Sequence, residues 1–253
     1  KTAAAVKAAE EDGGALFYTY RNIWRYFYIT VSSNNKVGMA RMYLNAFLYA
    51  FGSAATSTLV PCIAAYLCAR YNFRFSKIMR NTVIVVMIIP IIGSMSSEIA
   101  MAKRLGLLDT FWGLWVMKAN FLGLYFLVFY DIFKAMPSAF TEAAKIDGAT
   151  NMQILLTIGI PLAKNTISTV FLIRFVEFWN DYQTPMVFMS SYPTVAKGLN
   201  DLIGGNLPID GTFNPQHTPA RMAAVVMTGL PVMVLFLVFQ NKLMNNLTMG
   251  GVK

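Results

Sequence analysis

The stretch RFVEFWND, residues 174–181, sets Arg174, Glu177 and Asp181 at i, i+3 and i+7 within an otherwise apolar segment, with Asn180 beside them. On a continuous helix these positions share one face, and Trp179 points to the other. Ionisable side chains inside a membrane cost about 2.5–3.5 kcal/mol each on insertion scales, so they seldom face lipid. Two chemistries fit the stripe. Carboxylates, an amide and a guanidinium together offer donors and acceptors suited to hydroxyl groups. Alternatively, Arg174 and Glu177 form a structural ion pair that locks this helix to a neighbour. Asp181, nearer the outer end, is the residue best suited to a solute path. Asn120 and Lys118, in an earlier apolar segment, are similar but weaker candidates, and Lys118 is expected to snorkel to the outer headgroups.

Other chemistry has little to work with. The one histidine, His217, lies in a Pro-rich loop, so a His-based metal cluster or triad is not expected. No G-x-x-x-x-G-K-[ST] occurs, so ATP is not expected to bind this chain through a P-loop. Cys62 and Cys68 are six residues apart inside an apolar segment, on different helix faces, and are expected to be buried free thiols. The net charge of +9 is scattered among apolar segments and not gathered on one water-facing surface, which argues against nucleic acid.

The elements that must position the stripe are membrane helices. The 253 residues are 56% hydrophobic and 13% charged, against about 25% charged in soluble domains. No charge occurs from Met42 to Ala69, from Asn81 to Ser97 or from Met222 to Asn241. Each run approaches or exceeds the roughly 20 residues that a helix needs to cross a bilayer. Two further spans fit at 111–133 and 160–186, which gives an all-α integral membrane protein of about five transmembrane helices. A kink is expected at Pro90 and Gly93. The aromatic stretch FYTYRNIWRYFYI, residues 17–29, suits a membrane–water interface, so residues 1–41 are read as an extracytoplasmic or interfacial segment and 42–253 as the transmembrane domain.

Counting Lys and Arg orients the chain. With the basic link at 70–80 inside, the inner side holds Arg70, Arg74, Lys77, Arg80, Lys134, Lys145, Lys164, Lys242 and Lys253, whereas the outer loops hold Lys103, Arg104, Lys197 and Arg221. The positive-inside rule favours this assignment, although residues 1–41 add Lys1, Lys7, Arg21, Arg25, Lys36 and Arg41 to the outer side.

One inner segment is neither span nor simple loop. TEAAKIDGATNMQILLTIGIPLAK, residues 141–164, is charged and helix-forming. Pro137 and Ser138 read as a helix start with Ser138 as N-cap, and Glu142 lies near the positive end of the dipole. Gly148 is a natural stop. Thr150-x-x-Gln153 fits a capping box that opens a second helix, with Met152, Leu155 and Leu156 as its apolar stripe. Pro161 falls where the chain is expected to tilt back into the bilayer. Residues 137–161 therefore form a helix–Gly–helix elbow. Such an elbow fits either a partner's groove or the lipid surface.

Glu142-Ala143-Ala144, Asp147-Gly148-Ala149 and Ile160-Pro161-Leu162, with Gly148 four residues after Ala144 and Pro161 thirteen after Gly148, resemble the EAA signature of permease subunits of bacterial ABC importers. RLGLLDTFWGL at 104–114, FWND at 178–181 and the ending from Arg221 to Lys253 resemble the carbohydrate-importer branch, and the likeness spans residues 42–253. The resemblance implies that the elbow is a coupling helix seated in a cleft of an ATP-binding subunit. Glu142 would make a polar contact there, the alanines a close approach, and Gly148 the turn.

The resemblance also implies a bacterial cytoplasmic-membrane location and movement of a carbohydrate, expected to be an oligosaccharide, by alternating access. Its partners would be a second permease in a heterodimer, two ATPase subunits that bind ATP and Mg, and an extracytoplasmic binding protein. The stripe would then wall a sugar path. A sixth helix usual in the family, ahead of these five, is not found in residues 1–41, and its absence is read as truncation or disorder. The rival reading is an ion-coupled secondary carrier, which would leave the elbow unexplained and for which no inverted repeat is seen.

Overall fold

The computed structural model describes residues 15–32, 35–71, 74–89, 93–205 and 218–249, and these are mostly helical. The all-α expectation needs one correction at the front. Helix α1 (Ala15–Tyr26) leads into an antiparallel hairpin of β1 (Tyr28–Ser32) and β2 (Asn35–Gly38), with Ile29 opposite Val37. The run YITVS carries three consecutive β-branched residues, with apolar Ile29 and Val31 alternating with polar Thr30 and Ser32, a pattern that suits a strand. Ile29 and Val37 are buried with Ile23 and Phe27, so this segment packs onto the helical body.

Helix α2 (Met39–Arg70) is the central post, packed along α9, α6 and α5 defined below. Its buried face carries Ala46, Ala50, Ser53, Ala54 and Ser57. Small residues at this spacing let neighbouring backbones approach where lipid supplies no hydrophobic drive between helices. Three described helices are long and apolar enough to cross a membrane: Met39–Arg70, Asn151–Asn180 and Thr218–Phe239. They correspond to the expected first, fourth and fifth spans, with shifted ends. The fourth starts before Pro161 and stops at Asn180, short of residue 186.

The other two expected spans are interrupted. In place of 81–97 stand α3 (Arg74–Ile88) and α4 (Met95–Arg104), with Gly93 between them at φ +77°. The kink expected at Pro90 lies outside the described residues. In place of 111–133 stand α5 (Phe111–Lys118) and α6 (Leu124–Ala135). Asn120 separates them by accepting, through Oδ1, the backbone N–H of Leu122 at 2.8 Å, a local bond that competes with helix continuation.

The remaining elements are α7 (Ser138–Ile146), α8 (Asn151–Ile154), a π-helical turn (Leu155–Gly159), α9 (Ile160–Asn180), α10 (Gln183–Phe188), α11 (Val195–Ile203) and α12 (Thr218–Met249). Two cores share α2. The outer one joins the hairpin, the first half of α2, α5, α11 and the ends of α9 and α12. The inner one joins the second half of α2 to α6 and the π turn through Tyr66, Phe126, Phe129 and Phe133. Cys62 and Cys68 are both free and buried.

Candidate functional site

The elbow is built from local capping chemistry. Helix α7 starts at Ser138 with Pro137 in the cap position, and no side chain caps it, so Ser138 is the first helical residue and not the N-cap. Its far end is a Schellman stop: Asp147 caps the helix and Gly148 sits at φ +77°. The Gly148 N–H donates to Lys145 O at 3.1 Å and the Ala149 N–H to Ala144 O at 2.9 Å, which satisfies two terminal carbonyls. The capping box follows as expected. The Gln153 N–H donates to Thr150 Oγ1 at 3.4 Å, and the Thr150 N–H to Gln153 Oε1 at 2.7 Å.

The two arms then differ. Pro161 does not turn the chain, because α8 runs through the π turn into α9 as one continuous rod. The widened turn lies just ahead of Pro161, whose ring would otherwise meet the carbonyl four residues back. Of the signature residues, Glu142, Ala143, Asp147, Gly148 and Pro161 are exposed, and Ala144 and Ala149 are half-buried. The apolar stripe splits. Leu155 faces the inner core, whereas Met152 and Leu156 are 63% and 56% exposed. With Ile146 at 86% exposed, they give the elbow an apolar tip.

The charged stripe divides as well. Arg174 Nη1 donates to Glu177 Oε2 at 2.8 Å, and its guanidinium lies 4.7 Å from the Tyr125 ring centroid. Asn180 turns back on its own helix, Nδ2 donating to Val176 O at 2.9 Å. Asp181 does not extend the helical face, because α9 ends at Asn180 and Asp181 is extended at φ −73°, ψ 113°. Its carboxylate accepts the Tyr49 hydroxyl at 2.8 Å and the Thr184 N–H at 3.1 Å, so it serves the turn into α10 and grips α2. Trp179 points to the opposite side as expected, with Nε1 donating to Thr228 O in α12.

Asn120 is exposed in the break between α5 and α6. Lys118 turns inward: Nζ is 3.5 Å from Thr184 Oγ1 and 5.7 Å from the Phe178 ring centroid, which replaces the snorkelling expectation. Lys118, Thr184, Asp181 and Tyr49 thus meet at one end of α9. His217 lies outside the described residues.

Sequence reasoning missed three contacts. Tyr49 looks like any apolar-span tyrosine, and its carboxylate partner is 132 residues away. Arg70 entered only as one charge of a topological count, yet it reaches the start of the elbow. Gly159 gave no signal, although the Tyr66 ring lies against it.

Bilayer-length apolar rods, with a polar cluster at one end of α9 and an exposed elbow at the other end of the same rod, mark a helical membrane protein. Residues 57–245 match the family described as binding-protein-dependent transport system inner membrane component, and the chain belongs to it. It is a transport subunit of the bacterial inner membrane. It is 26% identical over 230 residues to the sn-glycerol-3-phosphate transport system permease protein UgpE of Pectobacterium atrosepticum, covering 90% of this chain and 78% of that one. The Yersinia pestis protein of the same description is 28% identical over 209 residues, or 82% of this chain and 72% of that one. A bacterial ABC transporter involved in the import of the acidic polysaccharide alginate contains a chain of like fold, with a TM-score of 0.66 at 22% identity, covering 94% of this chain and 95% of that one.

Proposed function

We propose that this chain is one of two transmembrane subunits, paired as a heterodimer, in an ATP-driven importer of a carbohydrate, with an oligosaccharide as the best fit. The observation that carries this reading is the elbow: a Schellman stop and a capping box leave an apolar tip of Ile146, Met152 and Leu156 exposed. A nine-residue helix is too short to be stable alone in water, and an apolar tip gains by seating in a groove. Two ATPase subunits bind ATP and Mg and offer that groove to residues 137–161, with Glu142 and Asp147 on its polar rim. Their closure displaces the elbow, and the helices exchange inward-open for outward-open states. ATP drives this only through its different affinity for the two states.

An extracytoplasmic binding protein delivers the solute on the opposite side. There Asp181 and Asn180 form the mouth of the path, with Glu177, Arg174 and Asn120 farther along. Such groups suit hydroxyls and acidic substituents alike, in keeping with relatives named for a polyol phosphate and for alginate. The test is uptake of labelled carbohydrates, presented with the binding protein, into right-side-out vesicles. Uptake that needs enclosed Mg-ATP and survives a protonophore is expected. Uptake driven by an ion gradient without ATP would contradict the proposal and favour a secondary carrier.

A further inference from the structure

One turn of α2 holds both arms of the elbow. Arg70, its last residue, donates from Nη1 to Met136 O at 2.9 Å, and from Nη2 to Pro137 O at 3.2 Å and to Thr141 Oγ1. Met136 and Pro137 are the whole link between α6 and α7, and Thr141 lies in the first turn of α7. The cation thus meets the Met136 carbonyl at the C-terminal cap of α6, where the dipole favours positive charge, and also reaches the Pro137 carbonyl at the cap of α7.

Four residues earlier, and so on the same face of α2, the Tyr66 ring packs against the other arm. A Cβ added at Gly159 would lie 2.9 Å from that ring, which leaves room only for glycine backbone. The ring is itself buried edge-on against Phe133 of α6, with centroids 5.2 Å apart. We infer that Arg70 is a positioning residue that ties the elbow to the end of α2, so that displacement of the elbow moves α2 and is not lost by bending at Met136–Pro137. The inference rests on the reading of the elbow as the ATPase contact. Its chemistry is that of a planar fork making charge-assisted bonds to three acceptors, which a lysine cannot reproduce.

The test uses the whole complex, with the partner permease and ATPase subunits, in lipid nanodiscs. The readout is ATP hydrolysis with the cognate binding protein divided by hydrolysis without it, a ratio independent of how much complex is recovered. Arg70→Gln is expected to lower the ratio by roughly fivefold or more, the scale of a typical coupling free energy. Arg70→Lys should fall between. Thr141→Val should lower the ratio when Arg70 is present and add nothing in the Arg70→Gln background. An unchanged ratio for Arg70→Gln overturns the inference. Should Arg70→Gln fail to assemble, Thr141→Val decides: a lowered ratio supports the tie and an unchanged one overturns it. Gly148→Val, measured alongside, separates a failure of the Arg70 tie from a failure of the elbow contact. If it keeps the ratio, the elbow reading itself fails; if it loses the ratio while Arg70→Gln keeps it, only the Arg70 inference fails.

Discussion

A side chain at Gly148 would meet nothing within 4 Å, so the cost of replacing this residue lies in the backbone alone. At φ +77° an L-residue is disfavoured by about 1–2 kcal/mol, and a β-branched one by more. Gly148→Ala is therefore expected to weaken ATP-driven uptake and Gly148→Val to abolish it, with the subunit still inserted, as immunoblots of membranes beside uptake assays would show. Normal uptake by Gly148→Val would contradict the coupling role. This residue was legible in the sequence because helix stops and capping boxes are local. Asp181 was legible only as a polar residue near the outer end. Its helical phase was extrapolated one residue too far, and the Tyr49 hydroxyl that grips it comes from α2. Asp181→Asn keeps an acceptor and gains a donor, so the Tyr49 contact can persist without the charge. The expected result is an altered preference among competing carbohydrates, with the complex still recovered from detergent. Unchanged selectivity and affinity would shift the binding site to the partner subunit.

At the scale of elements, hydropathy located apolar length but not continuity. Residues 111–133 are apolar enough for a span, yet the Asn120 turn divides them, and a window average does not register one side-chain hydrogen bond. The YITVS strand was hidden by its aromatic neighbours, which suggested an interface although the alternation was there to read. A glycine–indole contact helps to seat α5 on α2. Trp115 lies directly against Gly52 and donates from Nε1 to Leu48 O at 3.2 Å. Gly52→Val should push α5 off α2 and destabilise the subunit by about 1–3 kcal/mol, the usual cost of overpacking. A lowered detergent melting temperature would register this, and an unchanged one would contradict the packing. The Arg174–Glu177 ion pair is internal to α9 and is 33% and 48% exposed, so the link to α6 is the Arg174 guanidinium over the Tyr125 ring and not the ion pair itself. Double replacement by Met and Leu is expected to leave the melting temperature near that of the parent.

For the whole molecule, coupled transport requires the elbow and the Asp181 cluster to face opposite compartments. Helix α9 carries the chain from one to the other over 21 residues, about 31 Å at 1.5 Å per residue, enough to cross the hydrocarbon core. Cysteines at Lys145 and Asn200 should react with an impermeant maleimide from opposite faces, Lys145 from the cytoplasm; reaction of both from outside would reverse the orientation. The charge count supports this direction, and the hairpin segment qualifies it by adding cations to the outer side. In the proposed mechanism, work reaches the membrane helices through the elbow tip. A photo-crosslinking amino acid at Ile146, the most exposed large apolar residue described there, measures it most directly when irradiated in intact cells. The expected result is a crosslink to the ATP-binding subunit, identified by mass spectrometry. Crosslinking to phospholipid alone, with the complex assembled, would contradict it.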